Sequence, residues 1–134
     1  MKNSNCPCGM EKTYEDCCQP LHAGEAEAET PEQLMRARYC AFAKHEFDFL
    51  VNSTDPQIRI EVNHAGNEEW AKTAEFSKLE VLSTSVDGNK GFVEFKAHYA
   101  QNGENHVHHE KAKFRRHGGE WFFRDGKAVE QKTK

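Results

Sequence analysis

The sequence predicts an α+β fold, helices first and an antiparallel sheet after them, preceded by a small cysteine-rich knuckle. Three observations lead there: four cysteines crowded between positions 6 and 18, helical spacing of apolar residues after Pro31, and period-two alternation after Phe76 broken by Asn/Asp-Gly and Gly-Gly turns. A chain of 134 residues supports one compact domain with an appendage and is too short for two full domains. Nine Phe, three Tyr and two Trp offset the low hydrophobic share of 37%, so a packed core is expected.

Composition also bounds the partners. A formal charge of −4 and a pI near 6.1 supply no global basic field for nucleic acid or an anionic membrane. Met1-Lys2-Asn3-Ser4-Asn5 leads into Cys6 without an apolar h-region, and no apolar run approaches the length of a membrane span. A cytoplasmic location is therefore expected, and in that compartment thiols stay reduced and free to bind metal.

The knuckle runs from about Cys6 to Gln19, within a segment bounded at 1–22. Its spacing is Cys6-x-Cys8, eight residues, then Cys17-Cys18. Pro7 stiffens the first pair and Gly9 allows the chain to reverse, so four thiolates can converge on one Zn²⁺ with sulfur about 2.3 Å from the ion. Four protein ligands leave no open position, which makes the expected site structural. The competing reading is two disulfides or four inert thiols. Loss of one ligand is expected to unfold the knuckle alone, since a fragment so small has almost no core without its metal. Cys40, the odd cysteine, is expected to be a helix-packing residue.

Gly24 to Thr30 is acidic and lacks large apolar groups, and reads as a solvated tether. The α+β domain is expected over 31–129. Thr30 as N-cap, Pro31 at the first helical position and Gln33 completing a capping box start a helix that runs to about His45. A second helix, Phe47 to Asn52, stops before Asp55-Pro56, because the residue before proline avoids helical geometry. A third is expected from Gln57 to about Trp70. Strands follow at Ser77–Ser85, Gly91–Ala100, Glu104–His117 and Glu120–Asp125, as a meander. Residues 130–134 read as a polar tail.

A polar cluster interrupts the apolar faces. Arg38 and His45 fall among Leu34, Met35, Ala41 and Phe42 on the first helix, and a buried arginine needs a partner. On the third strand, alternation carries His106, His108 and Glu110 inward with Ala112 and Phe114, while His109 faces out. Trp121, Phe123 and Asp125 share a face of the last strand. Glu110 or Asp125 is the expected partner of Arg38. One account is an ion pair fixing helix to sheet. The other is a pocket in which Glu110, His108 or Asp125 does acid–base chemistry, with Arg38, Tyr39, Glu110, Trp121 and Asp125 as ligand-binding candidates. A second metal site at His106, His108 and His109 is disfavoured by their alternation.

These segments resemble the YchJ-like family of bacterial proteins of unknown function. Cys6-Pro7-Cys8-Gly9 with Tyr14 and Cys17-Cys18 is similar to the SEC-C motif, the zinc tail of the preprotein translocase ATPase SecA. Leu34-Met35-Arg36-Ala37-Arg38-Tyr39-Cys40-Ala41-Phe42 is similar to the family's central signature, and Trp121-Phe122-Phe123-Arg124-Asp125-Gly126 to its closing one. The resemblance implies a cone of the nuclear transport factor 2 type (cystatin-like) with a pocket on its concave face. Met10-Glu11-Lys12 stands where the motif usually has Ser-Gly-Lys, and Glu15-Asp16 where it usually has further lysines, which weakens any docking onto acidic partners.

Three functions are compatible with this reading. An interaction module would dock through its knuckle onto a protein or ribonucleoprotein and offer a small-molecule pocket in the cone. An enzyme of the isomerase or hydratase kind would use the pocket carboxylates. A knuckle acting only as a structural cap would instead lower the melting temperature of the whole protein when chelated.

Overall fold

A computed structural model describes residues 6–129. The first five residues and the polar tail expected at 130–134 lie outside the described residues. In chain order the elements are a 3₁₀ turn at Tyr14–Asp16, α1 (Gln19–His22), α2 (Pro31–Lys44), α3 (Phe47–Asn52), a 3₁₀ turn at Arg59–Glu61, α4 (His64–Thr73), β1 (Glu75–Asp87), β2 (Lys90–Gln101), β3 (Glu104–His117) and β4 (Glu120–Ala128). The four strands form one antiparallel sheet in sequence order. Among the described residues no helix is long and apolar enough to cross a membrane.

α2 starts as its sequence requires. Thr30 Oγ1 accepts from the Gln33 amide at 3.1 Å, and the Gln33 side chain reaches back to the Glu29 amide at 2.7 Å. It ends on His45, whose φ of 63° places it in the left-handed region. His45 thus caps the helix and is exposed, instead of sharing the apolar face.

The expected helix from Gln57 to Trp70 starts later, at His64, with Asn63 Oδ1 accepting from the Gly66 amide. Side chains hold the preceding stretch in turns. Asp55 Oδ1 accepts from the Gln57 amide, and Arg59 donates to the carbonyls of Asn52 and Thr54, contacts that a continuous helix would break.

Register shifts at Phe76/Lys78 and Val81/Ser83 in β1, and at Lys113/Phe114 between β3 and β4, bend the sheet around α2. Leu34, Met35 and Tyr39 pack there against Leu79, Val93, Phe95, Ala112, Phe114 and Trp121. Full burial of Phe114 alone is worth about 1.5–3 kcal/mol. Gly91 lets Pro31 seat against the sheet, since a Cβ there would meet the Pro31 ring. Ser53–Asp55 lies along the outer edge of β4, where the Phe123 amide donates to the Ser53 carbonyl and the Asp55 amide to the Phe123 carbonyl, each at 2.8 Å.

Candidate functional site

Two places in the fold gather chemistry. In the knuckle, the sulfurs of Cys6, Cys8, Cys17 and Cys18 all lie within 4.8 Å of one another. Cys8 and Cys17 are 3.5 Å apart and Cys17 and Cys18 3.9 Å, matching the edge of about 3.8 Å that follows for tetrahedral sulfur at the zinc–thiolate distance. No disulfide links them. The Cys18 thiol contact and burial push the Cys8 pKa up, and burial raises Cys6 and Cys17. Four touching thiols resist ionising together, and a dication at their centre reverses that preference. The residues fit a metal ion.

The knuckle is packed onto α2. Arg36 Nη1 donates to the Cys8 carbonyl at 2.7 Å while its Nε pairs with Glu32. His22 Nε2 donates to the Ala37 carbonyl at 2.8 Å, which leaves Nδ1 to accept from the Tyr14 hydroxyl, also at 2.8 Å. Burial lowers the His22 pKa, in keeping with this neutral tautomer. Cys40 is fully buried with its sulfur 3.7 Å from Cys6, so the packing residue expected from the sequence packs against the knuckle itself. Its position toward the clustered thiols could not be read from helical periodicity.

The second place is a cavity of about 340 Å³ between α2, α4 and the inner face of the sheet. Trp70 is part of its lining, with ring centroids 5.1 Å from Phe76, 5.2 Å from Tyr99, 5.3 Å from Phe42 and 5.7 Å from His108. Of the candidates named from sequence, Arg38, Tyr39, His108 and Glu110 line it. Phe42 read only as part of an apolar helix face, and Trp70, Phe76 and Tyr99 carried no site signal in the sequence. The alternation that carried His108 inward also places Tyr99 inward, but Trp70 depended on the true start of α4.

Two candidates leave the cavity. A one-residue bulge in β4 pairs Phe123 with Phe114 but Asp125 with Lys113, so Asp125 turns to the outer face and is exposed. Trp121 lies in the core beside Pro31 and Gly91, with Arg116 over its ring at 4.9 Å.

The expected ion pair is also replaced. Arg38 Nη1 donates to the Leu50 carbonyl at 3.1 Å and to Ser53 Oγ at 2.7 Å, and Phe123 covers the guanidinium face at 4.3 Å. Burial lowers its pKa to about 10, opposed by the Glu110 charge, so it remains a cation at neutral pH. Glu110 instead accepts from His108 Nε2 at 2.7 Å. Its other oxygen rests where a side chain on Gly126 would stand. His106 stacks on Tyr99, while His109 pairs with Glu94 on the outer face, so the three histidines do not converge.

The pair that sequence reading missed is Asp55 with Arg115. Arg115 grips the fully buried carboxylate through Nε at 2.5 Å and Nη2 at 2.8 Å, and Arg124 adds a contact at 3.2 Å. The Arg115 hydrogen bonds hold the Asp55 pKa well below the usual carboxylate range.

Comparison with known proteins agrees with this architecture. Residues 30–126 match the YchJ_M-like model, described as the YchJ middle NTF2-like domain. A UPF0225 protein of Geobacter sulfurreducens is 39% identical over 127 residues, covering 92% of this chain and 79% of the relative. One from Vibrio parahaemolyticus is 34% identical over 132 residues, covering 97% and 78%. The solution structure of a SEC-C motif containing protein from Rhodopseudomonas palustris superposes with a TM-score of 0.88 at 44% identity, covering 95% of this chain and all of that one. A crystal structure of a SEC-C motif containing protein from Psychrobacter arcticus gives 0.80 at 30% identity, covering 96% and 84%. An M. tuberculosis LEH-like epoxide hydrolase, at 10% identity and a TM-score of 0.55 over 72% of this chain and 80% of its own, shares the fold alone. The α2 signature, the closing strand and the cysteine cluster thus stand within one shared architecture, and the chain belongs to the YchJ-like UPF0225 family, with a SEC-C motif ahead of an NTF2-like domain.

Proposed function

We propose that this chain is a cytoplasmic small-molecule binding protein whose site is the cone cavity and whose knuckle is a structural zinc clamp on α2. The observation that carries this is the cavity itself. Its volume of about 340 Å³ suits a small organic ligand, and aromatic walls with a few convergent polar groups are the usual construction of such sites. His108, Glu110 and Arg38 supply those groups.

Zinc is the ion that four thiolates at tetrahedral spacing favour. One zinc per chain is expected by elemental analysis of the purified protein. The clamp reading draws support from the contacts of Arg36, His22 and Cys40, which turn the cysteine cluster toward α2. A docking role would have to use the remaining rim, Met10–Asp16, where Glu11, Glu15 and Asp16 outnumber Lys12.

The test is a thermal-shift screen of the zinc-loaded protein against a broad collection of small metabolites. At least one compound is expected to raise the melting temperature, and Trp70→Ala should abolish that rise. A screen with no stabilising compound would remove the basis for a binding function.

A further inference from the structure

We propose that the cavity takes a flat, apolar monocarboxylate whose carboxylate is held by Arg38. The inference rests on the cavity being the binding site and goes further by naming the ligand's chemistry.

A guanidinium offers five N–H donors, and Arg38 uses only those of Nη1. Among the described residues Nε and Nη2 have no hydrogen-bond partner. No buried side-chain nitrogen or oxygen lacks one, so these two atoms are not sealed in the core. Arg38 is 6% exposed and lines the cavity, so its unpartnered edge meets the cavity space. A charged donor pair that opens on the cavity without a protein acceptor is one that a bound anion can engage through both nitrogens.

The same protein shows what that edge grips. Arg115 holds the Asp55 carboxylate through Nε and Nη2, one oxygen on each nitrogen. On Arg38 this edge is free and already oriented, since Nη1 is tied to Leu50 and Ser53 and Phe123 stacks on the guanidinium face. Preorganisation of this kind lowers the ordering cost of binding.

Glu110 narrows the choice among anions. Its carboxylate lines the same cavity, so a dianionic phosphate would meet more repulsion than a carboxylate, while only one arginine edge is on offer. The rings of Trp70, Phe76, Tyr99 and Phe42 suit a flat, largely apolar remainder of the ligand.

The test compares cinnamate with its neutral isostere cinnamamide on the zinc-loaded full chain, titrated by NMR and read at the Trp70 indole N–H and the Tyr99 and His108 amides. Cinnamate is expected to bind at least about tenfold more tightly than the amide. Arg38→Lys, which keeps the charge but loses the fork, should weaken cinnamate about tenfold and leave the amide unchanged. Glu110→Gln should tighten cinnamate several-fold, and this arm stands even if Arg38→Lys does not fold. Equal binding of acid and amide would leave the cavity as a binding site and overturn the carboxylate assignment. Absence of shifts at the cavity with both probes would overturn the cavity reading together with the assignment.

Discussion

The sulfur of Cys40, a fully buried residue in the third turn of α2, lies 3.7 Å from that of Cys6 in the knuckle. The cysteine cluster and the central helix therefore share one small core, with Cys8, Cys18, Leu21 and Ala37 around the contact. Ordering the knuckle and stabilising the domain become one event.

Chelation should accordingly lower the melting temperature of the whole protein. Removing the ion is expected to cost at least about 2 kcal/mol, or roughly 5–10 °C in a domain of this size, as one cooperative transition. Calorimetry with and without chelator checks this, with Cys8→Ser in parallel. A free N-terminus above an unchanged melting temperature would mean that the knuckle folds separately.

Cys40→Ser should retain one metal per chain, because the four cluster sulfurs, all within 4.8 Å of one another, can supply four ligands without it. It should still destabilise the protein by about 1–3 kcal/mol, since it places a hydroxyl in a fully buried site. Elemental analysis and denaturant unfolding separate the two effects. Loss of the metal in this variant would make Cys40 a ligand.

Asp55→Asn should cost about 2–4 kcal/mol, because it leaves Arg115 and Arg124, both partly exposed, without their shared carboxylate. The sign of the pH effect follows from the depressed pKa. The folded state favours the ionised form, so this contribution is complete above the unfolded carboxylate pKa near 4 and is lost as pH falls below it. Unfolding free energies measured between pH 6 and pH 2 should fall less steeply in Asp55→Asn than in the wild type.

Gly126→Ala should displace the Glu110 carboxylate, because the added methyl carbon would occupy the space of Glu110 Oε2 and Cδ. The flexible end of that side chain can move, so the stability cost should stay below about 1.5 kcal/mol. The His108 Nε2–H resonance reports the result. It should lose its hydrogen-bonded shift in the variant, and an unchanged signal would show that the His108–Glu110 contact does not need the glycine.

The sequence by itself determined the local structure. Thr30, Pro31 and Gln33 set the start of α2, the Asn/Asp-Gly and Gly-Gly turns set the strand boundaries, and cysteine spacing marked the cluster, because each of these depends on neighbours within a few residues. Alternation carried His108 and Glu110 correctly to the inner face for the same reason. Tertiary structure alone decided what depends on distant contacts. One bulged residue in β4 moved Asp125 to the outer face, and a period-two pattern cannot register an insertion paid out between two strands. Arg38 found Ser53, the Leu50 carbonyl and Phe123 in place of a carboxylate, while Asp55 found Arg115 from sixty residues away. Buried charges take whichever partners the folded chain brings within about 3 Å, and that proximity exists only once the sheet has curved around α2.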